Sequence, residues 1–170
     1  MREVSASICL FWLLLVAVHD FKQRRVPNWL VLAGAVLALA ALAVGSNPFE
    51  SSWSSSLIGA AAGFGFLLIF YVARLMGAGD VKFAAALGLW VGHAALFPIW
   101  IIGSILAAAH GLLWLFTQRW PLYPRLETLL FGQPARADGT PSVRRIKFIP
   151  YAAYLSLATV VWMFWGRQNF

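Results

Sequence analysis

Two carboxylates in this sequence stand beside long apolar stretches. Asp20 follows the apolar stretch 4–19, and Asp80 lies in "LMGAGDVKFA", with hydrophobic sequence on both sides. The chain has six acidic side chains, and the other four lie near the start of the chain or in polar stretches. A charged group beside membrane-like sequence is costly, so its presence predicts a function. Two such carboxylates could act as a general acid and a general base.

Each carboxylate also has a purely structural explanation. Asp80 could cap the start of a helix, because aspartate accepts hydrogen bonds from the first free amides. Asp20 could form an interfacial ion pair with the basic residues that follow it. Capping explains Gly77 and Gly79 less well, since these glycines permit an unusual backbone path and the close approach of another chain.

Apolar sequence dominates the chain and predicts a membrane protein. Of its 170 residues, 61% are hydrophobic and 11% are charged, whereas soluble domains carry about 25% charged residues. A transmembrane helix needs about 20 predominantly apolar residues, and several uncharged stretches reach or approach that length. The predicted fold is all-α, a single integral-membrane domain over 1–170 with six transmembrane helices. The predicted spans are 4–19, 29–45, 56–76, 81–92, 95–117 and 148–165.

The basic residues are distributed unevenly between the predicted loops. Eleven of the 13 lysines and arginines fall after span one, where span three closes and span four opens, or in the loop 118–147. Only Arg2 and Arg167 lie on the other side. This asymmetry predicts that the three basic loops face the cytoplasm and that both termini lie outside. Basic residues beside spans are typical of contact with lipid headgroups, so they do not indicate a nucleic-acid partner.

The predicted topology brings the two carboxylates to one membrane face. Asp20 ends span one and Asp80 begins span four, both on the cytoplasmic side. If these spans pack together, the two carboxylates meet, and two close carboxylates share a proton and titrate as a unit. In an aspartic protease, one such carboxylate takes a proton from water while the other protonates the scissile carbonyl.

Three segments carry a family resemblance. "DFKQRRVPN" at 20–28 and "GAGDVK" at 77–82 resemble the two signatures of the type IV prepilin peptidases, and "IPYAAYLSLA" at 149–158 resembles the last span of that family. The type IV prepilin peptidases are bacterial intramembrane aspartic proteases with a GxGD motif. The resemblance extends from span one to span six.

The resemblance implies a specific activity. Asp20 and Asp80 would be the catalytic pair of an aspartic endopeptidase in the bacterial inner membrane. It would remove the basic leader from prepilins, next to a glycine, at the cytoplasmic face and without a cofactor. The longer family members carry a cysteine-rich cytoplasmic domain and N-methylate the new terminus. This chain resembles the short branch associated with tight-adherence (Flp-type) pili, which argues against the methyltransferase activity.

The residues around Asp80 have predicted supporting roles. We expect Gly77 and Gly79 to shape the loop and to leave room for the substrate backbone. Lys82 admits two interpretations that the sequence does not separate. It could tune the field at the carboxylates or contact substrate, or it could extend its charge towards the membrane surface.

Histidine and cysteine do not indicate a metal site. His19 precedes Asp20, but neighbours on a helix point about 100° apart, which does not favour a His–Asp relay. His110, in the middle of span five, is expected to form a hydrogen bond between helices. These residues lack metal-ligand spacing, so we predict no metal. Cys9, the only cysteine, is expected to pack within span one.

Two other functions use the same features. A small proton-coupled transporter could use both carboxylates, but it would place charges near the middle of the bilayer and often shows repeat symmetry. A non-catalytic membrane protein of pilus assembly would tolerate the loss of either carboxylate.

Overall fold

The chain folds into α-helices in the computed structural model, which describes residues 1–119 and 150–165. Within these residues all regular structure is helical, as the sequence predicts. Most of the predicted loop 118–147 lies outside the described residues. The helices are α1 (Arg2–Gln23), α2 (Asn28–Ala43), α3 (Trp53–Val72), α4 (Ala78–Arg119) and α5 (Tyr151–Trp165).

A break at Gly92 divides α4. Gly92 has φ 72° and ψ 174° within an otherwise helical segment, a conformation that is essentially restricted to glycine. The break lies where the sequence separates the predicted spans 81–92 and 95–117. The first part of α4 is therefore short, about 20 Å at 1.5 Å per residue.

Two arginines in the left-handed conformation end α1 and α3. Arg24 has φ 52°, and its amide donates to the Asp20 carbonyl at 2.8 Å. Arg74 has φ 59°, and the amides of Arg74 and Leu75 each donate at 2.9 Å to carbonyls of the last turn of α3. This pair of bonds is a Schellman motif. It ends α3 at Val72, so the predicted span 56–76 ends four residues too late.

Three helical stretches of the described residues could cross a membrane by length and composition. α1, α3 and the stretch Ala78–Phe116 of α4 are long and apolar enough to cross a membrane. α2 and α5 are apolar but shorter, with 16 and 15 residues. The count of six spans therefore stays a prediction.

Two tryptophans join α1, α2 and α4. The ring of Trp12 lies 5.4 Å from that of Phe83 and 6.4 Å from that of Trp90, between ring centroids. The Trp12 indole donates to the Leu30 carbonyl at 2.8 Å, and the Trp90 indole donates to the Gly34 carbonyl at 3.0 Å. Both buried N–H groups are therefore satisfied, as buried polar groups require.

Glycines bring α3 against the first part of α4. Gly59 and Gly63 form a GxxxG pair, whose spacing predicts close helix contact in lipid. A Cβ atom on Gly63 would lie 2.5 Å from the Ala84 carbonyl oxygen, and one on Gly59 would lie 2.7 Å from that of Gly88. The two backbones are therefore in direct contact, and the predicted packing role of this pair is confirmed.

The last helix packs mainly along α1. It also contacts the second part of α4, where a Cβ atom on Gly103 would lie 3.0 Å from the Leu155 side chain. In the described part of the chain, residues 1–107 and 150–165 belong to one compact unit, and 108–119 belong to another. The single domain over 1–170 stays a prediction.

A polar network surrounds the Gly92 break. The break leaves the Trp90 carbonyl without its regular helical partner, and Asn47 donates to it at 3.1 Å. Ser51 also donates to this carbonyl, at 3.3 Å. The neighbouring His93 ring pairs with the Ser55 hydroxyl at 3.1 Å.

The outer faces of the helices are strongly apolar. Large hydrophobic side chains stand more than half exposed on several helices, among them Phe11, Ile69, Leu112 and Phe164. Soluble proteins rarely expose such continuous apolar surface. Together with the long apolar helices, this surface is that of a membrane protein.

Candidate active site

Asp20 lies in the last turn of α1 and is buried, with 3% of its surface exposed. Its Oδ2 accepts a hydrogen bond of 2.9 Å from the Ala153 amide. Arg24 is close enough for its charge to act on the Asp20 carboxylate. The charge of a basic residue that follows Asp20 therefore reaches it, but the hydrogen bond of the carboxylate is to a different helix.

Asp80 lies in the first turn of α4 and is half-buried. Its Oδ1 accepts a hydrogen bond of 3.3 Å from the Ala152 amide. The carboxylate also interacts with the amide of Gly77, the residue before the helix. That contact is the backward half of a capping box, so the capping explanation is correct in part. Capping does not explain the bond to α5.

The first turn of α5 brings the two carboxylates together. They accept from the amides of adjacent residues, and the charge of Asp20 acts on Asp80. Spans one and four pack through Trp12, as the pairing of the carboxylates requires. Two carboxylates that are close enough for one charge to act on the other can hold one proton between them.

The two glycines of the GAGD segment have ordinary backbone geometry, and one of them contacts another segment of the chain. Positive φ among described glycines occurs at Gly45 and Gly92 only, so Gly77 and Gly79 do not take the unusual path expected of them. A Cβ atom on Gly79 would lie 3.5 Å from the backbone of Val26. The close approach is therefore to the "VPN" segment between α1 and α2.

Lys82 binds a residue of the same segment. Its Nζ donates to the Asn28 side-chain oxygen at 3.1 Å. Asn28 is the first residue of α2, directly after Pro27. The sequence did not suggest this bond. It gives Lys82 a third role, in which it links the segment "GAGDVK" to the segment "DFKQRRVPN".

Two tyrosines of α5 flank the site. The Tyr151 hydroxyl pairs with the Ser104 hydroxyl at 3.2 Å, and Tyr151 lies within electrostatic range of Asp80. Tyr154 lies within electrostatic range of Asp20, and its ring contacts that of Phe21 with centroids 5.8 Å apart.

His19 pairs with the backbone of α1, which does not favour a relay with Asp20. Its Nδ1 pairs with the Leu15 carbonyl at 3.0 Å, and its ring meets the edge of Trp29 at 6.1 Å between centroids. Among the residues that the structure describes, no group of three His, Cys, Asp or Glu could hold a metal ion. The absence of a metal from the reaction stays a prediction.

Sequence reasoning missed three parts of this site. The amides of Ala152 and Ala153 carry no side-chain signal, although Pro150 marks a helix start just before them. Asn28 appeared only as the last residue of the signature "DFKQRRVPN", with no role of its own. Its position beside Pro27, at the start of α2, was the available signal.

Comparison with known proteins identifies the family to which the chain belongs. The sequence profile of the type IV leader peptidase family matches residues 7–112, which include Asp20 and Asp80. The chain belongs to this family. The match also includes the "VPN" and "GAGD" segments, so Asn28 and Lys82, which bind each other, lie within the matched region, whereas Ala152 and Ala153 lie beyond it.

Several members of the family resemble the chain and carry the name prepilin leader peptidase/N-methyltransferase. The chain is 30% identical over 157 residues to one from Xanthomonas campestris pv. campestris, covering 88% of the chain and 45% of that protein. It is 33% identical over 125 residues to one from Bacillus subtilis, covering 69% and 48%. It is 28% identical over 174 residues to one from Stutzerimonas stutzeri, covering 98% and 51%.

The chain spans about half the length of these curated relatives. No solved structure matches it.

Proposed function

We propose that the chain is a membrane-embedded aspartic endopeptidase that removes the leader peptide from type IV prepilins. The observation that carries this proposal is the binding of Asp20 and Asp80 to adjacent amides of α5. Membership of the type IV leader peptidase family supports it. The names of the similar proteins suggest the substrate class, a prepilin.

The reaction needs only the two carboxylates and water. The ionised carboxylate takes a proton from a water molecule, which attacks the carbonyl carbon of the scissile peptide bond. The protonated carboxylate donates its proton to the carbonyl oxygen, which gives a gem-diol intermediate. The carboxylate that took the proton from water then passes it to the leaving nitrogen. The C–N bond breaks and the other carboxylate takes back a hydroxyl proton, which releases the new amine and the new acid. The proposal does not assign the starting proton to either residue.

The wider setting of the enzyme is proposed on the same basis. We infer that it lies in the inner membrane with the carboxylates at the cytoplasmic face and both termini outside, because eleven of the 13 basic residues fall on the carboxylate side. The substrate is inferred to be an Flp-type prepilin. The proposal concerns the peptidase reaction and does not extend to methylation.

The position of the carboxylates favours a peptidase over a transporter. Asp20 is in the last turn of α1 and Asp80 is in the first turn of α4, so both lie at helix ends. A transporter that moves protons across the bilayer is expected to hold its carboxylates near the middle of the membrane.

The test is a cleavage reaction with purified components. The chain is reconstituted in lipid nanodiscs with an Flp-type prepilin precursor, and the released leader is identified by mass spectrometry. We expect a single cut directly after a glycine. A pH change across vesicles that contain the chain, with no cleavage of the precursor, would support the transporter instead.

A further inference from the structure

We infer that the first turn of α5 positions the proposed catalytic pair, with the Ala152 amide holding Asp80 and the Ala153 amide holding Asp20. This inference rests on the proposed function and adds two positioning residues to it. Both act through backbone N–H groups. The two hydrogen bonds join parts of the chain that are 72 and 133 positions apart.

The amides of a first helical turn are well suited to this task. They have no partner within their own helix, so they are free to bind groups from α1 and α4. The positive end of the helix dipole, roughly half a charge, attracts carboxylates. That charge is too small to balance two full negative charges, which agrees with a pair that shares one proton.

The spacing of the two donors is set by the covalent backbone. Ala152 and Ala153 are adjacent, so their amides keep a nearly constant separation within a helix. The bonds involve Oδ1 of Asp80 and Oδ2 of Asp20. The Ala152 amide also interacts with Asp20, and the Gly77 amide interacts with Asp80. A carboxylate has about four acceptor positions, so positions remain on each one for water or the scissile carbonyl. Side-chain donors would fix the separation of the two carboxylates less firmly, because rotatable bonds lie between such donors and the backbone.

Packing fixes this turn on several sides. The side chains of Ala152, Ala153 and Leu155 are fully buried. Gly103 of α4 lies against Leu155, and the Tyr151 hydroxyl pairs with Ser104. The two alanine side chains are chemically inert, so the contribution of these residues to the site comes from the backbone.

Replacement of single amides by esters tests the inference. Incorporation of the α-hydroxy analogue of alanine at position 152 or 153 removes one N–H and keeps the side chain. The matched control is the same alanine analogue at position 158, because Ala158 is also a fully buried alanine of α5 but lies in the helix interior, where its amide has a regular helical partner. Cleavage of a labelled Flp-type prepilin precursor by each reconstituted variant gives kcat and KM.

We expect the esters at 152 and 153 each to lower kcat by about tenfold, the effect of losing a hydrogen bond to a charged group. KM should stay within about twofold, because the amides bind the carboxylates and not the substrate. The ester at 158 should change kcat by no more than about twofold. Equal losses in all three variants, or unchanged kcat at both 152 and 153, would overturn the inference.

Cross-linking tests the same contact without cleavage. In a Cys9→Ala background, the pair Asp20→Cys and Ala153→Cys should join with a short bifunctional reagent. The control pair, Asp20→Cys with Val161→Cys two turns further along α5, should not. Equal cross-linking of both pairs, or of neither, would overturn the positioning. If the wild-type chain fails to cleave any precursor while the first pair still joins, the proposed function fails and the contact stands.

Discussion

Lys82 of α4 donates a hydrogen bond of 3.1 Å to the side chain of Asn28 at the start of α2. Beside this bond, Gly79 lies against the backbone of Val26. The segment that follows Asp20 is therefore attached at two points to the turn that carries Asp80. The lysine has an internal partner, which neither of its two predicted roles included.

If the Lys82–Asn28 bond supports the site, substitutions of the two residues should have non-additive effects on the cleavage rate. Lys82→Met and Asn28→Ala should each slow precursor cleavage by about twofold to tenfold, since an exposed hydrogen bond contributes roughly 0.5–1.5 kcal/mol. The double variant should be no slower than the slower single variant, because both changes remove the same bond. Lys22→Met is the charge-matched control and should leave the rate unchanged. Fully additive effects would show that Lys82 acts independently of Asn28, for example on substrate.

Because α3 and α4 are in contact, replacement of Gly63 by alanine should destabilise the protein far more than replacement of Gly65. A Cβ atom on Gly63 would lie 2.5 Å from the Ala84 carbonyl oxygen, whereas one on Gly65 would meet nothing within 4 Å. Gly63→Ala should reduce the unfolding free energy by about 1–3 kcal/mol. Gly65→Ala should leave it unchanged or raise it by up to ~1 kcal/mol, because alanine favours the helix. Thermal unfolding in detergent gives both values, and equal Tm shifts would contradict the packing.

The break in α4 should depend on glycine at position 92. Gly92 combines a positive φ with a close contact, since an added Cβ atom would collide with the Ser55 hydroxyl. Gly45 has a similar φ of 67° and nothing within 4 Å. Gly45→Ala should therefore cost only the conformational penalty, about 1–2 kcal/mol, and Gly92→Ala should cost more. The two Tm values in detergent give the comparison, and an equal or smaller loss at Gly92 would indicate that the contact relaxes freely.

Much of the arrangement could be predicted from apolar length and charge. The uncharged stretches located the helices, and the division between the predicted spans 81–92 and 95–117 located the break at Gly92. The carboxylates were paired from topology alone, and the contact between α1 and α4 through Trp12 agrees with that pairing. The ends of α3 and α2 were less accurate, since the left-handed Arg74 that ends α3 has no glycine to signal it.

The rest of the site could not be read from residue types. Every residue except proline has a backbone amide, so nothing in "PYAAY" distinguishes the amides of Ala152 and Ala153. The role of Asn28 depends on the distance between two helix ends that are far apart in the chain. Such contacts follow from the packing of α1, α2 and α4, in which Trp12 and Trp90 bind the carbonyls of Leu30 and Gly34.

The most direct test of the account compares Asp20→Asn and Asp80→Asn with the wild-type chain in nanodiscs, using one Flp-type prepilin precursor. Glu3→Gln is the control, because Glu3 is an exposed acidic residue in the first turn of α1. Each asparagine variant should still insert and fold but should cleave at least about 100-fold more slowly, because it cannot transfer the proton, while Glu3→Gln keeps the wild-type rate. Cleavage near the wild-type rate by either asparagine variant would contradict a shared catalytic pair.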